Sequence, residues 1–284
     1  MKQKELISLS NARAAALYCV EDNQYLYADN MDAIIYPASI TKLLTACTAL
    51  QFLRPDTIIT VGDEHELVNE HSSLALVFPG YQLTFSDLLA GMLIPSGCDA
   101  AYTIAAAAAR AAFPDTAMSA KEAVERFVVL MNEYACSFIG MKNSHFQNPD
   151  GWDDKEQYSN AEDLIKLGKH AIEMPEIQAI TSLSEKVSDI VSGEHLIWLT
   201  TNKLLVKNSP YYCPETVGLK TGSTNIAGTH FLGAFERSGK TYLSFVSCSD
   251  LQQDKFGLTL QILAEYGPII ISDTKSDHTT TITL

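Results

Sequence analysis

No two of the six cysteines, Cys19, Cys47, Cys98, Cys136, Cys213 and Cys248, stand at C-x-x-C spacing, which removes zinc ribbons and dithiol redox sites from consideration. Buried thiols are expected; the even number permits disulfides, but a chain of 284 residues can bury a core without them. Long apolar runs are also missing. The nearest to one, Ala100 to Ala109, is followed by Arg110 and falls well short of the roughly 18 to 20 residues of a membrane-spanning helix. Cations are scarce: 20 Lys and Arg stand against 34 Asp and Glu, a net charge of −14. That balance argues against nucleic acid and anionic membranes as partners, because both need a basic surface, and it reads as solubility. The start, Met1 to Ser10, contains Lys2 and Lys4 but no apolar core of signal-peptide length. The expectation is a chain that is cytoplasmic as written, or a mature portion whose export signal has been removed.

What is present is a globular composition, 46% hydrophobic and 19% charged. The β-prone runs Ala14 to Val20 and Tyr25 to Ala28 flank Glu21-Asp22-Asn23-Gln24 and predict a hairpin. From Ile40 to Leu53, the residues Leu43, Leu44, Cys47, Leu50 and Leu53 recur at helical spacing and stop before Pro55, predicting a buried helix with Ser39 at its N-terminus. Helices are expected from Thr84 to Gly140, opened by capping-box sequences at Thr84 and Ser119, and again after Ser159 as far as Pro175. The last third returns to strand character at Thr216 to Leu219, Thr229 to Glu236 and Thr241 to Cys248, the last two joined by Ser238-Gly239. A final amphipathic helix fits Asp254 to Tyr266, and the Thr-rich tail Thr279 to Thr283 should fray. Strands at both ends with helices between them suggest one sheet built from distant segments and carrying an inserted all-helical lobe.

Three short motifs carry chemistry: Ser39-Ile40-Thr41-Lys42, Ser96-Gly97-Cys98 and Lys220-Thr221-Gly222. Positions i and i+3 share a helical face, so Lys42 can reach Ser39 and act as its base without a histidine. A lysine amine ordinarily keeps its proton to about pH 10. A base role for Lys42 therefore requires surroundings that disfavour an ammonium, and burial and a second cation, Lys220, would supply them. Lys220-Thr221-Gly222, at the end of a predicted strand, offers a cation for a substrate carboxylate, a hydroxyl donor, and a residue without Cβ where a substrate backbone must pass. The backbone N–H groups of Ser39 and Ser223 are suited to hold a tetrahedral oxyanion. The histidines of His65-Glu66-Leu67-Val68-Asn69-Glu70-His71 are i, i+6 and share no helical face, so a solvated acidic loop explains them better than a zinc site. Neither a metal nor a cofactor is called for.

At these motifs the chain resembles the serine-type D-Ala-D-Ala carboxypeptidases, low-molecular-weight penicillin-binding proteins of the DD-peptidase/β-lactamase superfamily. Tyr36 to Lys42, Leu93 to Gly97, Met131 to Ala135, Asn148 to Gly151 and Gly218 to Thr224 all read like that family, and the similarity runs over about residues 10 to 267. The resemblance implies an α/β (α+β) fold with a mainly antiparallel sheet flanked by helices. It implies a single catalytic domain over 1–284, with a sheet-containing lobe at about 1–62 and 150–284, a helical lobe at about 63–149, and no C-terminal β-rich domain. It implies an extracytoplasmic enzyme that removes the terminal D-Ala of peptidoglycan stem pentapeptides through a Ser39 acyl-enzyme and is acylated by β-lactams. By the same resemblance Ser96 relays a proton to the leaving group, and position 98 binds the substrate's amide backbone and steadies Lys42.

The family's middle motif is S-x-N, and here Cys98 stands in place of the amide. A thiol is a poorer donor and acceptor, and losing one such hydrogen bond costs about 1 to 3 kcal/mol, enough to slow the reaction. Cys98 reads either as an inert thiol filling the amide's volume or, beside two lysines, as a redox-sensitive one; the inert reading is preferred. Two alternatives to the carboxypeptidase are a β-lactamase-like hydrolase and a catalytically decayed peptidoglycan or β-lactam binder. The deacylating glutamate of class A β-lactamases, in an E-x-x-L-N context, is not found after Ser96.

Overall fold

The computed structural model describes residues 12–252 and 254–268; Met1 to Ser10 and the Thr-rich tail lie outside them. The N-terminal hairpin forms as its turn residues dictate. Strand β1 (Ala12–Cys19) pairs antiparallel with β2 (Gln24–Asp29), with a bulge at Leu17/Tyr18. Asn23 takes the left-handed conformation in the turn, which Asn tolerates better than most residues. A single 3-10 turn, Ala38–Ile40, leads into α1 (Thr41–Ala49). Ser39 thus sits in a tighter turn just ahead of the α-helix, and the helix ends at Ala49, short of the expected Leu53.

Strand β3 (Ile58–Thr60) pairs with β4 (Gln82–Thr84) in a small ribbon. Helices α2 (Phe85–Leu93), α3 (Cys98–Ala112) and α4 (Ala120–Tyr134) follow. Thr84 Oγ1 caps α2 by accepting the Asp87 N–H, and Ser119 with Glu122 completes a reciprocal capping box on α4. Gly140 closes the turn after α4 in the left-handed conformation. Helix α5 (Ala161–Ile172) is capped by Asn160, whose side chain accepts from Asp163 N; the cap lies one residue beyond the expected Ser159. Pro175 opens the short helix α6 (Pro175–Thr181) at N1, where its missing N–H costs nothing. The hairpin β5 (Glu185–Asp189) and β6 (His195–Leu199) completes the insertion.

The chain then returns to the sheet as β7 (Thr216–Thr224), β8 (Gly228–Arg237) and β9 (Lys240–Cys248), and ends in α7 (Lys255–Tyr266). The five-stranded sheet has the order β2-β1-β9-β8-β7, every pairing antiparallel. Both faces are covered. Ala14, Ala16 and Tyr18 of β1 join the core shared with helices α1 to α6, while Ala15, Leu17 and Cys19 join the core under α7. Such double burial explains why these strands read as continuous apolar runs, and each large side chain buried this way contributes about 1.5 to 3 kcal/mol. The mixed architecture, an antiparallel sheet flanked by helices, is the expected one.

Candidate active site

The 3-10 turn carrying Ser39 is wedged between β7 and the loop after Phe146. A Cβ on Gly222 of β7 would lie 3.1 Å from Pro37 O and 3.2 Å from Ser39 N, and one on Gly151 would lie 1.9 Å from Ala38 O. Gly151 has φ +90°, a conformation that glycine alone adopts without strain. Glycine at these two positions lets three distant segments close on one serine. Two non-glycine residues beside that serine, Ala38 (φ 48°) and Ser96 (φ 70°), also adopt the left-handed conformation, the kind of local strain that clusters at functional sites.

Lys42, in the first turn of α1, is fully buried. Its Nζ lies 2.8 Å from Ser39 Oγ, 3.2 Å from Cys98 Sγ and 2.7 Å from the Asp150 carbonyl oxygen, so a neutral amine there can donate to two of them and turn its lone pair to Ser39 Oγ. Lys220 is also fully buried and donates to Ser96 Oγ at 2.9 Å and to Thr221 O at 3.0 Å. Burial, and after it the charge of Lys42, holds the Lys220 amine well below its ordinary range. Ser96 is 6% exposed, and its carbonyl accepts the Ser73 hydroxyl at 2.6 Å. Thr221 Oγ1 is 2.6 Å from Thr201 Oγ1. Ser223, solvent-exposed just past Gly222, shares its hydroxyl with Thr229 and Lys255. Thus Ser39, Lys42, Ser96, Cys98 and Lys220 form one contiguous cluster, and Thr221, Gly222 and Ser223 border it along β7, which runs on through the motif to Thr224.

Cys98 is 4% exposed. Burial pushes its thiol up, with Lys42 opposing and the Asp150 carboxylate reinforcing the rise. That direction is opposite to the one a reactive thiolate requires. All six cysteines are free, and only Cys136 is exposed.

Other residues around the cluster carry no motif of their own. Asp150 lies in the family-like stretch Asn148 to Gly151, to which no role was given, and its carbonyl anchors Lys42. The fully buried carboxylate of Asp99 accepts the backbone N–H groups of Ala75 and Val77 at 2.7 and 3.0 Å, which pins the loop bearing Ser73. His230, paired with Gly222 across β7 and β8, has its Nε2 3.0 Å from the Tyr36 carbonyl. Burial first, then the charge of Lys255, lowers it to about 4. At neutral pH His230 is therefore an uncharged donor bracing the approach to Ser39. Lys255 opens α7 and donates to Thr229 Oγ1 at 2.6 Å; burial lowers its amine to about 8. A cleft of about 530 Å³ joins Ser39 and Ser96 to Thr221, Lys203 and Lys255. Beyond Ser39 a second arm of about 240 Å³ is lined by Ser73, Cys98, Asp150, Trp152 and Thr224. Glu64, just ahead of the stretch expected to be a solvated loop, is buried in a 3-10 turn 3.7 Å from Arg110; a lone buried acid has no periodicity to announce it.

A family model described as D-alanyl-D-alanine carboxypeptidase matches residues 3–247. The chain is 29% identical over 263 residues to D-alanyl-D-alanine carboxypeptidase DacC of Escherichia coli K12, covering 89% of this chain and 60% of that one. It therefore spans about three fifths of that relative's length. The crystal structure of the Streptomyces K15 DD-transpeptidase superposes with a TM-score of 0.80 at 26% identity, covering 90% of this chain and 97% of that one. Penicillin-binding protein D2 of Listeria monocytogenes, in its ampicillin-bound form, superposes with a TM-score of 0.71 at 27% identity, covering 89% and 96%.

Proposed function

Because the chain belongs to the D-alanyl-D-alanine carboxypeptidase family, we propose that it cleaves the terminal D-alanine from peptides ending in D-Ala-D-Ala, with Ser39 as nucleophile. The observation that carries this reading is the pairing of two serines with two buried lysines: Lys42 with Ser39 at 2.8 Å and Lys220 with Ser96 at 2.9 Å. Ser39 Oγ attacks the penultimate carbonyl and passes its proton to Lys42. The N–H groups of Ser39 and Ser223 hold the oxyanion. Ser96, oriented by Lys220, relays a proton to the departing amine as the C–N bond breaks and free D-alanine leaves. Water then attacks the acyl-enzyme, returning the proton to Ser39. Lys220 directs its amine at Ser96, so it acts on the substrate carboxylate by its field, while Thr221 and the more open Lys255 make the contact. Cys98 fills the volume of an amide and remains a protonated thiol. The cleft lies between a sheet-bearing lobe and a helical lobe of one catalytic domain.

The natural substrate on this reading is the peptidoglycan stem peptide, met on the extracytoplasmic side. β-Lactams, which mimic D-Ala-D-Ala, acylate Ser39 and leave slowly. The test is D-alanine release from a D-Ala-D-Ala-terminated peptide by wild type, Ser39→Ala and Cys98→Asn, with and without an added amine acceptor. Release by wild type, none by Ser39→Ala, and equal or greater release by Cys98→Asn are expected. Release by Ser39→Ala, or none by wild type while fluorescent penicillin still labels it, overturns the carboxypeptidase reading. A transferred peptide in place of release would make the protein a transpeptidase, the activity named for its Streptomyces neighbour.

A further inference from the structure

At the end of α1 remote from Ser39, where that helix packs against α4, lies a pocket of about 280 Å³ that shares no lining residue with the catalytic cleft. Three aromatic side chains line it, Phe52, Tyr134 and Phe138. The Tyr134 ring is fixed by its hydroxyl, which accepts from Gln51 Nε2 at 3.1 Å and lies 2.7 Å from His170 Nε2. Phe138 stacks on Tyr134 with ring centroids 5.2 Å apart. It belongs to a π-turn, Ala135–Ile139, that continues α4, and single π-turns recur at functional sites. At 78% Phe138 is the most exposed large apolar side chain among the described residues. A scattered apolar side chain on a surface needs no explanation, whereas rings gathered around a cavity mark a binding site.

Two polar groups of the lining lack partners. Thr48 is 1% exposed and its Oγ1 makes no hydrogen bond, a state that buried hydroxyls seldom keep without a missing partner. Glu133 is the one charged residue of the lining, and among the described residues its carboxylate has neither an ion pair nor a hydrogen bond. Ring faces are electron-rich and attract a cation within about 6 Å of their centroids, so the rings and the carboxylate select the same sign of charge. An anion would be repelled, and a neutral apolar molecule would use the rings alone. A quaternary ammonium offers apolar methyl groups to the rings while keeping its charge, and a hydroxyl on a short arm of the same compound would serve Thr48.

We infer that this pocket binds a quaternary ammonium group of the hydroxyethyl-trimethylammonium type. The site is independent of the carboxypeptidase reading and is tested by binding alone. The full chain is titrated calorimetrically at matched ionic strength with choline and with 3,3-dimethylbutan-1-ol, in which carbon replaces the charged nitrogen at the same shape. Choline binds about 10-fold tighter, the equivalent of one good cation–ring contact. Phe138→Leu, at an exposed position, brings the two compounds within about threefold of each other, and Glu133→Gln weakens choline while leaving the alcohol unchanged. Choline binding with no pelleting on phosphatidylcholine vesicles assigns the group to a free compound; pelleting of wild type that Phe138→Leu abolishes assigns it to a lipid headgroup. No binding of choline, equal affinity for the two compounds, or a preference untouched by both substitutions overturns the inference.

Discussion

Replacing Lys255 with Met should make the protein more stable and less active, and the stability gain should disappear at high pH. Burial lowers the Lys255 amine from 10.5 to about 8, a difference worth roughly 3 kcal/mol. The sign follows from proton counting. Below pH 8 both folded and unfolded states carry the charge, and the folded state bears the whole desolvation penalty. Between pH 8 and 10.5 the unfolded chain binds more protons, so wild-type stability rises with pH; above 10.5 the penalty is gone. Met removes the charge at every pH. It also loses the donors to Thr229 Oγ1 and Ser223 Oγ, at about 1 kcal/mol each, although those hydroxyls still bond to one another at 2.8 Å. The net gain at pH 7 is about 1 to 2 kcal/mol. Urea midpoints for both proteins at pH 7, 8, 9 and 10 measure it, and D-alanine release should fall at least about tenfold as the carboxylate loses its cation. A gap between the two midpoints that is constant from pH 7 to 10, or a variant less stable at pH 7, refutes the reasoning.

Two further outcomes rest on the packing. Gly222→Ala should leave the thermal midpoint nearly unchanged and still cut kcat/KM, because the new methyl would press on Pro37 O, Ala38 Cβ and Ser39 N at 3.1 to 3.2 Å and push the nucleophile aside; an unaltered kcat/KM would show that the turn yields freely. Iodoacetamide at neutral pH should alkylate the exposed Cys136 and spare Cys98 in folded protein, and peptide mass spectrometry showing equal labelling of the two would mean a reactive thiol after all.

The N-terminal hairpin, the strands from Thr216 to Cys248, the caps at Thr84 and Ser119 and the helix opened by Asp254 were legible because each rests on local chemistry. The ribbons β3–β4 and β5–β6 were not, since strands of three to five residues give too little alternation to read. Pro175 signalled a stop, and it also starts the next helix, which is held in place by the burial of Ile177 and Ile180 in the main core. At the site, Ser39, Lys42, Ser96, Cys98 and Lys220 announced themselves through spacing and order. Asp150, Asp99, His230 and Lys255 act through a backbone carbonyl, backbone amides or a neighbouring strand, and such partners leave no pattern along the chain. The contact of Lys220 with Ser96 is likewise a matter of direction, which spacing does not encode.

The sheet order β2-β1-β9-β8-β7 has a consequence for biosynthesis. β1 fills an interior position beside β9, and Asp22 and Glu21 of its hairpin meet Lys240 and the Thr241 amide some 220 residues onward. A chain still emerging from the ribosome holds that hairpin with an unsatisfied edge until its last strand arrives. Nascent fragments ending before residue 240 should therefore remain protease-sensitive and unable to capture penicillin, so competence is gained in one late step.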